Sequence, residues 1–574
     1  MAERENSKFR ERFEYAHEES QYWHTNIANR CYNYYNGTGH YTSAERAILE
    51  AEGRPPHRLN YAFKWMNLVS GNERQNRQDL YIYPQEGGDV RMAAVYNYIF
   101  DHLKNINSLP WLWSQAGLDG YITGQGWLEL FVEPDERMSP DIKIRKVSPR
   151  LIYYDPDSIE YDLSDAKDIF RERWIRREEL KAHYPKQARD IERWYSDTKT
   201  RNNDLYVNQK KEMIRVMDCW YREYTREAYR FDAESGEVEK VEGAGPNEKG
   251  LHYRTVPVVR YRRFFGDVVL EDMADYMGLS DFPYTPYFPY YSEGEGVSLM
   301  DQLADSQDII NKSFSQFMDI LNRQPKVGGI YEEGAIDQPD AFAEAIRNGE
   351  WAAVKNMDRI KEFQPPSYPS AHSQTVGDAI AFGRDIMGSS DAFEGNAPGR
   401  VEAASGIQML IQEAVKGVAV PGDNMRHSQR LLGKKMLAMV QKLWSPGKML
   451  RLLGEDGNLL DLEITGSEVT MTRLDRKTGA VIGDPEISVN RLSEGKYDFS
   501  VDLAAPSQTQ RQRNMNTALM IYQAMPNPAL LPLLIEMTDF PNKDEWKNVI
   551  AQQMAAGLPQ VPGQQGQIPP GGFQ

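Results

Sequence analysis

A long amphipathic segment near the middle of the chain constrains the fold most. From about Val297 to Asn322 apolar residues recur at helical intervals, and Pro325 ends the pattern, which predicts an α-helix. Projected at about 100° per residue, one face carries Leu299, Leu303, Ile310, Phe314, Phe317 and Leu321. The opposite face carries Asp301, Asp305, Asp308, Lys312 and Asp319. We therefore expect a two-sided helix with a narrow, mostly acidic stripe.

A second helix is predicted after an insertion. Residues 323–369 are punctuated by Gly and Pro and predict a compact excursion of the chain. A helical pattern then returns from about Ala371 to Met387, with Val376, Ile380 and Met387 on one side and Gln374, Asp378 and Asp385 on the other. The sequence therefore predicts two helices that flank an insertion.

A loop and a long helical pattern follow the second helix. The Gly- and Ser-rich loop 388–404 contains Asp391, Glu394, Arg400 and Glu402. Such composition usually means an ordinary linker, but the position between two helices makes this loop a candidate functional segment. The helical pattern at 405–444 contains Pro421 and Gly422, where we expect a kink or break. Asp423 is the expected cap of its second part.

The rest of the chain mixes both kinds of secondary structure, so the predicted fold class is α+β. Helices are predicted at 6–35, 60–77, 90–107 and 507–556. Short strands are predicted at 121–269 and 446–504, with a helix-like charged piece at 171–183 and an exposed loop at 232–250. The uncharged tail 557–574, rich in Gln, Gly and Pro, is predicted to be mobile.

Charge and cysteine content limit the classes of function. The 67 Lys and Arg against 84 Asp and Glu give a net charge of −17, the wrong sign for tight binding of nucleic acid through its phosphates. The two cysteines, Cys31 and Cys219, predict neither a disulfide framework nor a thiolate metal site, which fits a reducing compartment. The charged segment Met1 to Arg10, and the lack of any run of 18 apolar residues, predict neither signal peptide nor membrane span.

No motif for catalysis is found. A Walker A sequence, a GxSxG elbow, an HExxH helix, a CxxC pair and an EF-hand loop are all missing from the sequence. Acidic residues on one helix face are most often just its solvated side, and the predicted stripe has no His partner or loop that would favour a metal. We therefore expect no enzyme activity, no catalytic residues, no cofactor and no metal.

Several segments together resemble the portal proteins of tailed bacteriophages, nearest to the P22-like group of short-tailed phages. The resemblance is spread over NYAFKWMNLVSGNERQNR at 60–77, SPRLIYYDPDSIEYDLSDAKDIF and HYP within 147–185, GVSLMDQLADSQDIINKSFSQFMDIL at 296–321, EAASGIQMLIQE at 402–413 and EGKYDFSVDLAAPSQTQRQR at 494–513. None of these segments is diagnostic alone, so the specificity lies in their joint order.

The resemblance implies a ring, typically of twelve subunits, around a central channel. It implies a wing at 1–295, a first stem helix at 296–322, a clip at 323–370, a second stem helix at 371–388, a tunnel loop at 389–404, a kinked wing helix and β-rich wing part at 405–506, a helical crown at 507–556 and a flexible tail at 557–574. Because the chain ends soon after the crown, a long C-terminal barrel is not expected. Acidic stem faces repeated around the ring would let DNA slide without sticking, and Arg400 would touch the DNA backbone transiently.

The resemblance also implies the partners and the location. They are further copies of the chain, the terminase large subunit that supplies force, the major capsid and scaffolding proteins, tail adaptor proteins, and double-stranded DNA that passes without sequence specificity. The location implied is the portal vertex of the virion, after assembly in the host cytoplasm. Two alternatives remain: another head-tail adaptor or connector, which would form rings without docking terminase, and a metal-dependent nuclease.

Overall fold

The computed structural model describes residues 2–75, 77–84, 90–134, 139–201, 205–231, 238–241, 248, 250–274, 277, 279–323, 329–336, 338–348, 354–362, 370–388, 419–444, 447–453, 459–465, 468–474, 481, 486–488 and 497–503. The chain divides into two units, residues 1–74 with 80–501 and residues 75–79 with 502–574. The second unit is described only at 75, 77–79, 502 and 503, so the fold below is that of the first. The predictions for 389–404, 405–418, 507–556 and 557–574 lie outside the described residues.

Helices dominate the first part of the chain. They are α1 (Ala2–Tyr22), a π-helical segment (Trp23–Ala28), α2 (Asn29–Tyr35), α3 (Ser43–Ala51), α4 (Tyr61–Gln75), α5 (Val90–Ile106) and α6 (Leu109–Thr123). The first three are consecutive, so the predicted opening helix is confirmed, and Gly37 follows it with φ of 72°, a left-handed conformation that suits Gly. Further along lie α7 (Arg177–His183), α8 (Ala188–Arg201), α9 (Leu299–Arg323), α10 (Pro339–Asn348), α11 (Ser370–Ile386) and α12 (Ala419–Leu443).

Twenty strands are described. They are β1 (Gln78–Pro84), β2 (Gly126–Pro134), β3 (Pro140–Val147), β4 (Ile152–Tyr154), β5 (Asp168–Arg176), β6 (Val207–Asn208), β7 (Met213–Phe231), β8 (Val238–Val241), β9 (His252–Phe265), β10 (Val268–Ala274), β11 (Tyr284–Tyr287), β12 (Tyr291–Ser292), β13 (Glu295–Gly296), β14 (Gly329–Tyr331), β15 (Ile360–Glu362), β16 (Gly447–Leu453), β17 (Leu459–Thr465), β18 (Glu468–Leu474), β19 (Glu486–Ser488) and β20 (Tyr497–Leu503). The fold is therefore a mixture of helix and sheet, as the α+β prediction required.

The largest sheet is built around β7, whose β-branched and aromatic residues favour an extended strand. Its strands run in the order β10-β9-β7-β5-β4, β6 and β8 also pair with β7, and all these pairs are antiparallel. Phe9 and Phe13 of α1, four residues apart, pack against this sheet next to Phe170. Separate antiparallel sheets have the orders β11-β2-β3 and β16-β17-β18-β19.

The buried apolar residues form three clusters. One joins α5, α6, α12 and the strands β2, β3, β11, β16 and β17. A second lies between α1 and the β7 sheet. The third joins α2 and α4 to α9 and α11, so the two helices that the sequence singled out are held by the N-terminal helices. Among the described residues, no helix combines the length and the apolar character that crossing a bilayer requires.

Three local predictions are corrected by the structure. The charged piece predicted as helical at 171–183 is strand β5 up to Arg176 and helix only from Arg177, because its charged residues pair within the sheet. Within the predicted loop 232–250, Val238–Val241 forms strand β8 on β7. The region predicted as strands from Tyr121 begins instead with the end of helix α6, which continues to Thr123. Ten residues of α6 are buried, and a helix buried on nearly all sides has no amphipathic period.

The structure describes the long C-terminal helix only from Ala419, so the predicted kink at Pro421 and Gly422 stays a prediction. Pro421 is the third residue of this described part, and residue 417, whose carbonyl group a residue other than proline would bond from this position, lies outside the described residues. Gly422 and Asp423 are both helical, so within the described residues there is no break at this point. Asp423 is therefore not a cap, and its carboxylate instead pairs with Arg426.

Candidate functional site

The candidate site is the pair of helices α9 and α11, which pack against each other. The helices predicted over 297–322 and 371–387 are confirmed as Leu299–Arg323 and Ser370–Ile386. Their facing apolar side chains include Leu303, Ile310 and Ala379, all buried in the third cluster. These buried contacts hold the two helices together and thereby fix the positions of the polar residues on their surface.

A row of polar side chains fastens α9 to the first turn of α4 and to the irregular segment that precedes it. Gln307 accepts a hydrogen bond from the N–H of Ala62 at 2.8 Å and donates to the carbonyl of Leu59 at 2.7 Å. One turn on, Asn311 accepts from the N–H of Leu59 at 2.8 Å, and Ser315 donates to the carbonyl of Pro55 at 3.1 Å. The spacing of four puts these residues on one face of the helix. All three bind main-chain atoms, and the N–H of Ala62 is a buried group that needs such an acceptor.

Two of the predicted acidic residues contact α2 rather than open solvent. Asp301 lies 3.4 Å from the guanidinium of Arg30. Asp308 accepts a hydrogen bond of 2.8 Å from the hydroxyl of Tyr34, and it is half-buried. Burial raises the pKa of Asp308, and burial together with this bond raises the pKa of Tyr34 to about 12. These two carboxylates therefore help to hold the N-terminal helix on α9.

The exposed face of α9 is mixed rather than mostly acidic, which corrects the expected stripe. Its exposed residues include Asp305, Ile309, Lys312 and Gln316, and Asp319 is partly exposed. Lys312 lies 4.0 Å from a carboxylate oxygen of Asp308 and 4.0 Å from one of Glu45. The simple projection missed this mixture because it did not include the N-terminal helices that cover one edge of α9.

Helix α11 presents its acidic residues to solvent as predicted. Asp378 and Asp385 are both exposed, one heptad apart on the same face. Beside them, Phe382 and Ile386 are also exposed, at 61% and 46%, an apolar edge that the prediction did not single out. The loop residues Asp391, Glu394, Arg400 and Glu402 lie outside the described residues.

The β7 sheet holds a set of buried carboxylates that sequence analysis did not find. Asp218, at 2% exposure, lies 2.7 Å from Arg173 and 2.6 Å from Arg263, and it accepts a hydrogen bond from Tyr261. Burial alone would raise the pKa of Asp218, but the two guanidinium groups outweigh it and lower this pKa below its usual value. Asp218 is therefore a charged group inside the sheet, fully compensated by its partners.

Similar arrangements occur at two neighbouring positions. Glu129 of β2 pairs with Arg145 at 2.6 Å and with Arg171. Glu172 of β5 pairs with Arg215 at 2.7 Å. The signal in the sequence is the repeated charge within strand-like segments, as in Arg171-Glu172-Arg173. In the described part of the chain, no group of three or more His, Cys, Asp or Glu residues is arranged to hold a metal.

Comparison with known proteins identifies the class of protein to which this chain belongs. The family model described as "Phage P22-like portal protein" matches residues 10–570, almost the entire chain. Such proteins are structural components of phages. The portal protein of Acyrthosiphon pisum secondary endosymbiont phage 1 is 24% identical over 446 residues, covering 71% of this chain and 59% of that relative. The chain belongs to the P22-like portal protein family.

Proposed function

We propose that this protein is the subunit of a portal ring at one vertex of a phage capsid, through which double-stranded DNA is packaged and later ejected. The observation that carries the proposal is the family match over residues 10–570. The matched portal protein is a longer chain, of which 59% is aligned. The role proposed is structural, with no cofactor or metal.

The proposal gives each region a part in the ring. The wing comprises 1–295, the stem helices are 296–322 and 371–388, the clip is 323–370, the tunnel loop is 389–404, the second wing part is 405–506, and the crown is 507–556. The packing of α9 on α11 supports a stem made of these two helices, since a wall around a channel needs a stiff element. Twelve copies are proposed, as is typical of the ring that the family resemblance implies.

The electrostatic part of the proposal rests on the exposed carboxylates of the stem. Asp305, Asp378 and Asp385 are exposed, and the chain has a net charge of −17. Carboxylates repeated around a channel repel phosphates, so DNA would slide through the ring without sticking. Asp301 and Asp308 have a smaller share in this effect, because Arg30 and Tyr34 already engage them.

The partners follow from the same role. The ring would dock the terminase large subunit, whose ATPase supplies the force, and later the tail adaptor proteins, both through the clip. The wing would contact the major capsid and scaffolding proteins. The supporting observation for an external motor is the missing Walker A sequence.

The experiment that tests the proposal is native mass spectrometry of the purified chain together with negative-stain imaging. Closed rings of about a dozen subunits with a central hole are expected. A chain that stays monomeric or dimeric with capsid and scaffolding proteins present contradicts the portal function. Rings that do not bind the terminase large subunit would instead favour a head-tail adaptor.

A further inference from the structure

An open groove of about 180 Å³ lies between α3 and α9. The residues that line it are Tyr41, Glu45, Ile48, Leu49 and Arg54, from α3 and the residues that flank it, and Lys312, Ser315 and Gln316 of α9. A cavity of about 150 Å³ can hold a benzene molecule, so the groove has room for one aromatic side chain. The proposed channel function does not use this groove.

Helix α3 forms one wall of the groove without burying any of its own nine residues. Its exposed apolar residues recur at helical intervals and share one face: Ala44, Ala47, Ile48 and Ala51. Ile48 is exposed at 58%, and Ile309, one turn before Lys312 on α9, is exposed at 43%. A helix this short gains little stability from its own hydrogen bonds. An apolar face left in water therefore indicates that a further surface covers α3.

The exposed edge of α11 offers side chains that suit this groove. Phe382 and Ile386 are four residues apart, so they project next to each other, and they are exposed at 61% and 46%. At about 100° per residue, their mean direction lies about 70° around the helix from that of Asp378 and Asp385. The apolar edge can therefore face a neighbouring molecule while the two carboxylates face a channel.

The groove and the apolar edge are accompanied by charges of opposite sign. The described lining of the groove contains two cationic residues, Arg54 and Lys312, and one anionic residue, Glu45. Glu52 already engages Arg54, whereas Lys312 lies 4.0 Å from Glu45, the outer limit of an ion pair. Both exposed charged residues of α11 are carboxylates. A carboxylate beside the apolar edge would thus find an accessible ammonium group at the groove.

We propose that the groove receives Phe382 from the neighbouring copy of this chain, so that α11 of one subunit packs across α3 and α9 of the next. Ile386 then lies on the apolar face of α3. An aromatic anchor in a pocket, surrounded by smaller apolar contacts, is typical of the centre of a protein interface.

The proposed contact joins two different surfaces of the same chain. Such a contact repeats from copy to copy and closes into a ring when the rotation between neighbours fits. The inference rests on the proposed portal ring, and it specifies which surfaces meet within that ring.

The first test is cross-linking between introduced cysteines in assembled rings of the full-length protein. The native cysteines, Cys31 and Cys219, are both buried, so a short bismaleimide should react mainly at the introduced ones. Ile48→Cys with Phe382→Cys in one chain should give covalent multimers up to the size of the ring. Each single variant should stay monomeric on a denaturing gel, and a mixture of the two single variants should give nothing larger than a dimer.

Ile159→Cys with Phe382→Cys is the matched control for cross-linking. Ile159 is exposed at 65%, much like Ile48, but it does not line the groove, so this pair should give no multimers. Rings whose Ile48 and Phe382 cysteines yield only monomers, or no more multimers than the control pair, would overturn the proposed contact and leave the portal function standing. Failure of the unchanged protein to form rings would overturn both.

A second test measures how tightly the subunits assemble. Phe382→Ala should raise the protein concentration at which half of the subunits are in rings by about tenfold or more, as measured by native mass spectrometry of a dilution series. The subunit should still fold, because the Phe382 side chain is mostly exposed. Tyr22→Ala, which removes a ring that is 69% exposed on α1, should leave assembly unchanged. Assembly that is indifferent to Phe382 would mean that something other than a second copy covers the groove, and would overturn the proposal.

Discussion

The indole of Trp65 in α4 lies directly against Gly383 in α11. A Cβ atom added to Gly383 would come within 2.4 Å of the indole Cη2 atom, a distance that real Cβ atoms essentially never show. Trp65 is completely buried, so the ring has little room to move away. The second helix of the candidate site therefore approaches the N-terminal helices only because residue 383 has no side chain.

We expect Gly383→Ala to destabilise the protein. Overpacking costs about 1–3 kcal/mol, which exceeds the gain of about 1 kcal/mol in helix propensity. Gly377→Ala is the matched control on the same helix, because no atom lies within 4 Å of the Cβ position there. The control should raise stability by about 0.5–1 kcal/mol. Equal denaturation midpoints for the two variants would contradict the close packing of Trp65.

Replacement of Asp218 by Asn should be among the most damaging single changes in the β7 sheet. Arg173 and Arg263, both partly buried, would lose the buried carboxylate that they share, and breaking a buried ion pair costs up to about 3–5 kcal/mol. Glu223→Gln on the same strand is the control, since its pair with Arg260 is exposed, and should change stability by less than about 1 kcal/mol. Chemical denaturation of both variants measures the difference.

Gln307→Ala should loosen the segment that precedes α4. The substitution leaves the buried N–H of Ala62 without its acceptor, at a cost of about 1–3 kcal/mol. The carbonyl of Leu59 loses the Gln307 amide but keeps the N–H of Tyr61 at 2.9 Å. Hydrogen exchange should show faster exchange at Ala62. Gln316→Ala, on the exposed face of the same helix, should leave that protection intact; if both variants behave alike, the polar row does not hold the segment.

The histidines of the N-terminal helix should make the protein less stable in acid. Burial lowers the pKa of His17 and of His24 to about 4, with smaller contributions from Arg215 and, for His24, from His17 and Arg150. The unfolded chain takes up protons below about pH 6.5, so their contribution is present above that pH and is lost as the pH falls towards 4.

The double variant His17→Gln with His24→Gln isolates this effect. Between pH 7 and 4.5 its free energy of unfolding should fall by about 1–3 kcal/mol less than that of the unchanged protein. Asp168 acts in the opposite direction, because burial raises its pKa to about 6 and its protonation therefore favours the folded state. A parallel pH profile for the double variant would show that the histidines do not cause the acid sensitivity.

Neutralising Asp378 and Asp385 together should impair DNA passage and leave folding unchanged. Both residues are exposed, so replacement by Asn should alter stability by less than about 0.5 kcal/mol. Weaker repulsion of phosphates should lower the yield of packaged DNA in a reconstituted system with terminase. The paired change Glu178→Gln with Glu179→Gln controls for lost charge. Unchanged packaging and DNA retention would remove the electrostatic part of the proposed function.

The helices of the candidate site could be predicted from sequence because each is amphipathic with a clear period. α9 begins two residues later than expected, and α11 ends one residue earlier. Helix α3 was missed although Thr42 and Glu45 form a capping box, a signal that is readable in the sequence. Local patterns thus carry most of the information about these elements.

The contacts between distant elements could not be predicted in the same way. Asp218 lies opposite Arg263 in β9 and Arg171 in β5, a relationship fixed by the register of three strands. A shift of one residue in either pairing would send these side chains to the other face. Likewise, Tyr34 and Asp308, which form a hydrogen bond, lie 274 positions apart in the sequence. A local periodicity of apolar residues cannot predict such a contact.

The polar row on α9 has a consequence for how the chain can vary between related phages. Gln307, Asn311 and Ser315 hold the segment before α4 through its main-chain N–H and carbonyl groups. Every residue type offers a carbonyl group, and all except proline offer an N–H group. Substitutions in that segment can therefore accumulate without weakening the attachment. A single substitution in the polar row on α9, in contrast, removes one or two of these hydrogen bonds. In related proteins the residue types should vary in the segment before α4, whereas Gln307, Asn311 and Ser315 should be retained.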